Sequence, residues 1–335
     1  METCRKEFAQ MLGVQTNGIY FTSGGSEGNF LAIQTLLSSP LKKGKHIITS
    51  TAEHASIHSA MEKCKQEGYE VTALPYDQDG HIDLEKLKDA IREETVLITI
   101  QHGNAEIGTI QPIIEISKLC REKDILLHSD CVQTFGKLDM QEIAHSVDSL
   151  AISGHKFYGP KGVGAVYLSP HLHWEPFYPN TSHENGFRPG TVNVPGIAAM
   201  TLAAQRSIAS LAEQQEHFIK LHDIFLNTIK DKATQIKVYP SDLPAIVGLR
   251  IKGIEGQLVM LECNRNGYAI STGSACQVGS QAPAKTMTAL GVTGKQAKEF
   301  IRVSFGKNTK LEDVQTLGKT LIKILHAFEK QCERS

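Results

Sequence analysis

From Gly18 to Leu168 the sequence alternates short β-branched or aromatic runs with amphipathic stretches, and this alternation restricts the fold more than any other feature. Strands are predicted at Ile19–Thr22, His46–Ser50, Tyr69–Leu74, Val96–Gln101, Ile125–Ser129, Leu150–Ser153 and Val163–Leu168. Helices are predicted between them at Glu27–Leu37, Ser56–Glu67, Asp83–Glu93 and Pro112–Lys123, after an opening helix over Cys4–Leu12 that Gly13 stops. Such β-α-β repetition needs crossover connections. The expected fold class is therefore α/β, a mostly parallel sheet flanked by helices, with ligand-binding groups at the carboxyl ends of the strands.

At 335 residues the chain exceeds the size at which a single core stops growing, so a second, smaller domain is expected. No low-complexity segment, repeat or linker separates the two. The boundary is placed inside the helix or helix pair that Pro195 starts and that runs to about Lys232, giving a large domain over 1–212 and a smaller α+β domain over 213–335. Strands near Ile246–Ile251, Tyr268–Ser271 and Ile301–Phe305, with helices near Gln257–Arg265, Ala282–Leu290 and Glu312–Phe328, make up the smaller one.

A formal charge of -1 with 21% charged residues gives no electrostatic bias toward nucleic acid or an anionic membrane, so small molecules or proteins are the expected partners. No apolar run approaches the roughly 18 residues of a membrane span, and the polar opening Met1-Glu2-Thr3-Cys4-Arg5-Lys6 does not read as a signal peptide. A cytoplasmic location is therefore expected. The seven cysteines are scattered without a CxxC pair, which argues against a disulfide framework and a structural zinc.

The chemistry-bearing residues cluster just after the predicted strands. Ser23-Gly24-Gly25-Ser26 opens a helix and reads either as a phosphate cradle or as a plain tight turn with Ser26 as its cap. His54 comes after the second strand, where it would stack on a flat ligand, shuttle protons or simply hold structure. Asp130 directly follows a buried strand, suited to pair with a protonated ring nitrogen. Lys156, in Ser153-Gly154-His155-Lys156, sits at the rim of a sheet, where lost solvation lowers an amine's pKa and favours Schiff-base chemistry; the alternative is one more loop lysine. Cys276 lies in the small-residue run Ser271–Ser280, where burial is hard and a thiol can act as a nucleophile. Arg302, early in a strand, would clamp a carboxylate or form an ion pair.

In this order, Glu53-His54, His128-Ser129-Asp130-Cys131-Val132-Gln133, Ser153-Gly154-His155-Lys156 and Ser271-Thr272-Gly273-Ser274-Ala275-Cys276 resemble the motifs of the cysteine desulfurases of the NifS/IscS type, which are class V aminotransferase-like pyridoxal phosphate enzymes of fold type I. The resemblance spans nearly the whole chain. It implies Lys156 as the Schiff-base lysine, Asp130 on the pyridine nitrogen, Gln133 on the phenolic oxygen and His54 stacked on the ring. Gly25, Ser26, Ser153 and His155 would hold the phosphate, and Thr191 would reach the phosphate of a second subunit, which implies a homodimer. Cys276 would carry the persulfide, with Arg302 and Asn104 at the substrate L-cysteine. The implied reaction gives L-alanine and passes sulfur to an iron–sulfur scaffold or a dedicated apoprotein. No resident metal is implied, beyond transient ligation of a nascent cluster by Cys276. Selenocysteine lyase, aminotransferase, or an inactive cofactor-binding partner protein are the alternatives.

Two departures from the family stand out. Its members begin some tens of residues earlier, with a Leu-Asp-x-Ala-Ala-Thr-Thr-like strand near the substrate. They also carry a second Asn where this chain has Ala105, a change that would lose a hydrogen bond worth about 1 to 2 kcal/mol.

Overall fold

The structure is a computed structural model that describes residues 1–41, 43–176, 178, 180–273 and 283–332. It divides into two compact units, the first made of residues 1–74, 82–103 and 111–211, the second of residues 75–81, 104–110 and 212–335. Two short segments inside the first half of the sequence thus belong to the second unit.

The first unit is built on strands β1 (Ile19–Thr22), β2 (His46–Ser50), β3 (Glu70–Leu74), β4 (Thr95–Thr99), β5 (Leu126–Asp130), β6 (Ser149–Ser153) and β7 (Gly164–Leu168). They lie in the order β1-β7-β6-β5-β4-β2-β3. Only β7 runs against its neighbours; the pairs from β6 to β3 are all parallel. Helices α1 (Glu2–Leu12), α2 (Gly25–Leu37), α3 (Ala55–Gln66), α4 (Leu84–Ala90), α5 (Ile113–Glu122), α6 (Gln141–Ser146) and α7 (Val194–Ala209) complete it. Every residue of β2, β4, β5, β6 and β7 is buried, as expected of parallel strands covered on both faces, whereas the edge strand β3 is largely open.

Because β1 lies at one edge and β2 near the other, the connection between them has to cross the sheet, and α2 is that connection. The helix packs over β7, β6, β5 and β4. It is buried nearly all round, and small residues make the close approach possible: a Cβ at Gly28 would stand 3.0 Å from Val166 Cγ2, and one at Gly25 only 2.6 Å from Val132 Cγ2.

The other edge strand, β1, is closed by an ion pair. Arg5 Nη1 donates to Ile19 O, Glu184 Oε2 accepts from Phe21 N at 2.8 Å, and the two side chains join at 2.9 Å through both Nη1 and Nη2. The pair thus satisfies edge groups of β1 that no strand reaches. Burial pulls the Arg5 pKa down, but the hydrogen bond and charge of Glu184 outweigh it and hold it above the ordinary value.

The second unit holds an antiparallel sheet of β8 (Ile236–Val238), β9 (Ile246–Ile251) and β10 (Phe300–Ser304) in the order β10-β9-β8. Its helices are α8 (Leu211–Ile229), α9 (Gly256–Arg265), α10 (Lys285–Ala289), α11 (Gly294–Lys298) and α12 (Leu311–Cys332). Phe225, Val247, Leu249, Ile251, Val259 and Leu321 form the centre of its core. The strand expected at Tyr268–Ser271 does not form: turns at Gly267 (φ 83°) and Gly273 (φ 149°) bound the run, and only Ser271 bridges β10, through Arg302. No helix among the described residues is long and apolar enough to cross a membrane.

Breaking a buried ion pair by removing one partner leaves the other charge unpaired. Glu184→Ala should lower the urea unfolding free energy by about 3 kcal/mol, and Glu184→Gln, which keeps the shape, by less. Equal stability of all three proteins in urea titrations would contradict the edge-closing role.

Candidate active site

The carboxyl ends of β1, β2, β4, β5 and β6 share one edge of the first unit's sheet, and Thr22, Ser50, Thr99, Asp130 and Ser153 end them. Polar residues succeed each strand end. After β1, Gly24 adopts φ 153°, a conformation that side chains rarely allow, and the chain turns at once into α2. The first amides of α2, at Gly25 and Ser26, have no intrahelical acceptor and no side-chain cap. Their N–H groups, with the positive end of the helix dipole, are suited to an anion, and the clash at Gly25 keeps a side chain out. Ser26 is exposed and Gly25 buried. Ser153 Oγ, which faces His155 Nδ1 at 3.1 Å, would stand 3.7 Å from a Cβ at Gly24, so this serine borders the same turn. Burial, then the charges of Lys156 and Lys161, hold the His155 pKa below its ordinary value.

Glu27 lies in the first turn of α2, where its carboxylate accepts from Ser23 N and is met by Arg188 Nε at 3.1 and 3.2 Å. The arginine neutralises an acid that would repel an anion at the helix end. Arg188 belongs to the loop that carries Thr191, an exposed residue beside Gly190 (φ 85°).

Asp130 is 7% exposed, and both its oxygens are engaged: Oδ1 accepts from Val132 N at 3.0 Å and Oδ2 from Asn29 Nδ2 at 2.7 Å. Asn29 Nδ2 also donates to Ser56 Oγ (3.0 Å), which lies 2.8 Å from His54 Nδ1. His54 caps α3, its Nδ1 accepting from Ser56 N at 3.1 Å. Hydrogen bonds thereby join Asp130 and His54, two residues singled out in the sequence, through two that were not. No local sequence pattern marks Asn29; only the structure shows that this asparagine, among the apolar residues of α2, is fully buried. His128, on the same strand as Asp130, reaches Asn29 Oδ1 through Nε2 (3.1 Å) and Ser149 Oγ through Nδ1 (2.7 Å).

Lys156 is half-buried in the tight turn Gly154–Phe157 directly after β6, the strand whose Ala151 pairs with Asp130. Tyr158 ends that turn in the left-handed region (φ 67°), and Gly159 N closes it on Gly154 O at 2.9 Å. Gln133 is half-buried, with Lys137 Nζ donating to its Oε1 and carbonyl.

The remaining residues singled out in the sequence lie in the second unit. Arg302, on β10, donates from Nη1 to Ala105 O at 3.1 Å, and its Nε is buried without a hydrogen-bond partner. Loss of solvation lowers its pKa, while the carboxylate of Glu106 works in the opposite direction. A backbone carbonyl therefore serves Arg302 at position 105, whatever side chain stands there. Asn104 is turned to the shape of its own loop: Oδ1 accepts from Glu106 N (2.8 Å) and Ile107 N (2.9 Å), and Nδ2 donates to Thr286 Oγ1 (3.0 Å). Cys276 lies outside the described residues. Its segment is entered from Ser271, which exchanges backbone hydrogen bonds with Arg302. Among the described residues no group of three or more His, Cys, Asp or Glu is placed to hold a metal ion.

A mostly parallel sheet thus carries, at its carboxyl edge, a helix end with free amides, a buried carboxylate and a lysine, and a sequence model described as aminotransferase class-V matches residues 1–317. The chain belongs to that family. It is 46% identical over 325 residues to the "Putative cysteine desulfurase NifS" of Bacillus subtilis (strain 168), covering 96% of this chain and 82% of that protein. To cysteine desulfurase IscS of Dictyoglomus turgidum it is 38% identical over 331 residues, covering 97% and 83%. A solved NifS-like protein matches with a TM-score of 0.88 at 30% identity, over 97% of this chain and 87% of that one. Within the family, the chain is a member of the cysteine desulfurases of the NifS/IscS type.

Burial drives the pKa of His102 down to about 4 and that of His128 to about 3, from 6.5. Both rings are neutral in the folded protein, so the unfolded chain binds more protons below pH 6.5. Stability should be level above that pH and fall as pH drops toward 4, each histidine contributing a slope approaching about 1.4 kcal/mol per pH unit. His102→Gln should remove about half of this pair's contribution to the slope in urea titrations at stepped pH; an unchanged slope would show that His102 is not held neutral.

Proposed function

We propose that this chain is a cysteine desulfurase working with pyridoxal 5'-phosphate, converting L-cysteine to L-alanine and carrying the sulfur as a persulfide on Cys276 to an acceptor protein for iron–sulfur assembly. The observation that carries this reading is the coincidence, on one sheet edge, of the Gly24-Gly25-Ser26 helix end, the oriented Asp130 carboxylate and Lys156. These residues fit the cofactor: free helix amides suit a phosphate, an acceptor-only carboxylate suits a pyridinium N–H, and the clash at Gly25 leaves backbone, not side chain, facing the anion.

In this reading Gly25, Ser26, Ser153 and His155 would hold the phosphate, Asp130 the ring nitrogen and Gln133 the phenolic oxygen, with His54 beside the ring. When bound, the cofactor is an electron sink for the substrate's α-carbon. Lys156 Nζ anchors it and takes the substrate's α-proton. Arg302 binds the α-carboxylate: its lowered pKa still leaves it charged, and the partnerless Nε is a donor in search of an acceptor. Asn104 shapes the loop whose Ala105 carbonyl orients Arg302. The Cys276 thiolate attacks the sulfur of L-cysteine, an S–S bond forms as the C–S bond breaks, and the pair from the broken bond ends in a C–H bond of L-alanine. No outside oxidant or reductant is needed.

Four of the other thiols are poor rivals. Burial pushes Cys64 and Cys263 up to about 11 and Cys120 and Cys131 to about 12, which keeps them protonated and unreactive at neutral pH. Cys4, Cys64, Cys120, Cys131 and Cys263 are free thiols, which favours a reducing, cytoplasmic setting. The exposure of Thr191 favours a homodimer in which it meets the phosphate of the second copy. A division into a cofactor domain over 1–212 and a cysteine-bearing domain over 213–335 goes with this reading.

Adding pyridoxal phosphate should produce a visible absorbance band that Lys156→Ala abolishes. Cys276→Ala should keep the band and lose alanine release from L-cysteine by at least about a hundredfold, since the four buried thiols Cys64, Cys120, Cys131 and Cys263 are held protonated. Alanine release at full rate by Cys276→Ala would refute the persulfide role, and formation of pyruvate from L-alanine when a second keto acid is supplied as amino acceptor would favour transamination.

A further inference from the structure

One side chain in the first unit is fully buried, polar on all sides and without a part in the chemistry proposed for the cofactor. Asn29, one turn inside α2, is 0% exposed, and an amide taken so far from water has to make its hydrogen bonds or destabilise the fold. It makes them to Asp130, Ser56 and His128.

We propose that Asn29 is a positioning residue for the cofactor's ring, holding the Asp130 carboxylate in place for the ring nitrogen and joining it through Ser56 to His54. The proposal rests on the reading of this edge as a pyridoxal phosphate pocket.

The donor and acceptor inventory fixes each link in turn. An ionised carboxylate only accepts, so the 2.7 Å contact to Asp130 Oδ2 has to be made by the Asn29 NH2 group. Its carbonyl oxygen is then left facing His128 Nε2 at 3.1 Å, so that nitrogen carries the ring proton and Nδ1 accepts from Ser149 Oγ at 2.7 Å. The neutral state that burial imposes on His128 agrees with this assignment. The second N–H of Asn29 goes to Ser56 Oγ at 3.0 Å, and that hydroxyl turns its own proton to His54 Nδ1 at 2.8 Å. Ser56 N donates to the same nitrogen at 3.1 Å, so a neutral His54 carries its proton on Nε2.

The carboxylate is held from two sides, Val132 N on Oδ1 and Asn29 on Oδ2, which leaves it little freedom to rotate about its own axis. Its remaining lone pairs are then fixed in direction. An acceptor already aimed when the ring arrives costs no reorganisation, which is the physical benefit of preorganisation. The phosphate cradle is built from other groups, and the contacts of Asn29 do not touch it. This separation is what makes the idea testable.

The experiment measures the dissociation constants of pyridoxal phosphate and of inorganic phosphate, as its competitor, for the wild-type chain, Asn29→Ala and the isosteric Asn29→Asp, each checked for native circular dichroism. Losing a hydrogen bond to a charged group should weaken pyridoxal phosphate roughly tenfold to a hundredfold in Asn29→Ala while inorganic phosphate binds as before. Asn29→Asp, which keeps the volume but turns an acceptor toward Asp130, should show the same selective loss and keeps the test alive should Asn29→Ala not fold. Unchanged affinity for pyridoxal phosphate in the folded variants would overturn the proposal. Equal weakening of both ligands would also overturn it, since that is the mark of a merely structural residue. A wild-type chain that binds inorganic phosphate and not pyridoxal phosphate would instead bring down the reading of the pocket on which the proposal stands.

Discussion

The path of α2 across the parallel sheet is the constraint on which the rest of the first unit depends. Since β1 and β2 lie far apart in the sheet, the helix joining them has to start at the carboxyl end of β1 and pass over β6, β5 and β4. That path puts its amino end at the edge where the other parallel strands finish, and its second turn over β5. The positive helix end and the Asn29 amide are therefore consequences of one connection. Close packing makes the connection possible, and glycines at 25 and 28 are the means.

Electrostatic order around this edge comes more from neutral groups than from charges. His102 and His128 are held neutral by burial, so they act as oriented donors and acceptors and not as cations. Charge is retained where it is balanced: Glu27 by Arg188 at the start of α2, and Glu184 by Arg5 on the outer side of β1. The second unit obeys another rule. Arg302 is desolvated and only partly satisfied, with one backbone carbonyl and a buried Nε without a hydrogen-bond partner.

Much of the site is legible in the sequence because strand ends in a β-α-β chain share an edge, so residues placed after separate strands are brought together without knowledge of the strand order. Asp130, His54 and Ser153 are placed near one sheet edge in that way. Asn29 is not, because which strand lies under the second turn of α2 depends on the sheet order, and local pattern does not encode it. Nor is the assignment of residues 104–110 to the second unit, which rests on bonds such as Ile110 N to Asp242 Oδ2, formed across more than a hundred residues of chain. The strand expected at Tyr268–Ser271 fails for a related reason. Its apolar residues have strand propensity, but a ladder needs a neighbour in register, and only Ser271 meets one.

The proposed chemistry depends on Lys156 capturing a pyridoxal phosphate held by α2 and Asp130. The most direct measurement is reduction of the cofactor-loaded protein with borohydride, with mass spectrometric mapping of the modified peptide. One pyridoxyl group per chain, on the peptide containing Lys156, is the predicted result. Modification spread over surface lysines with Lys156 untouched would contradict it.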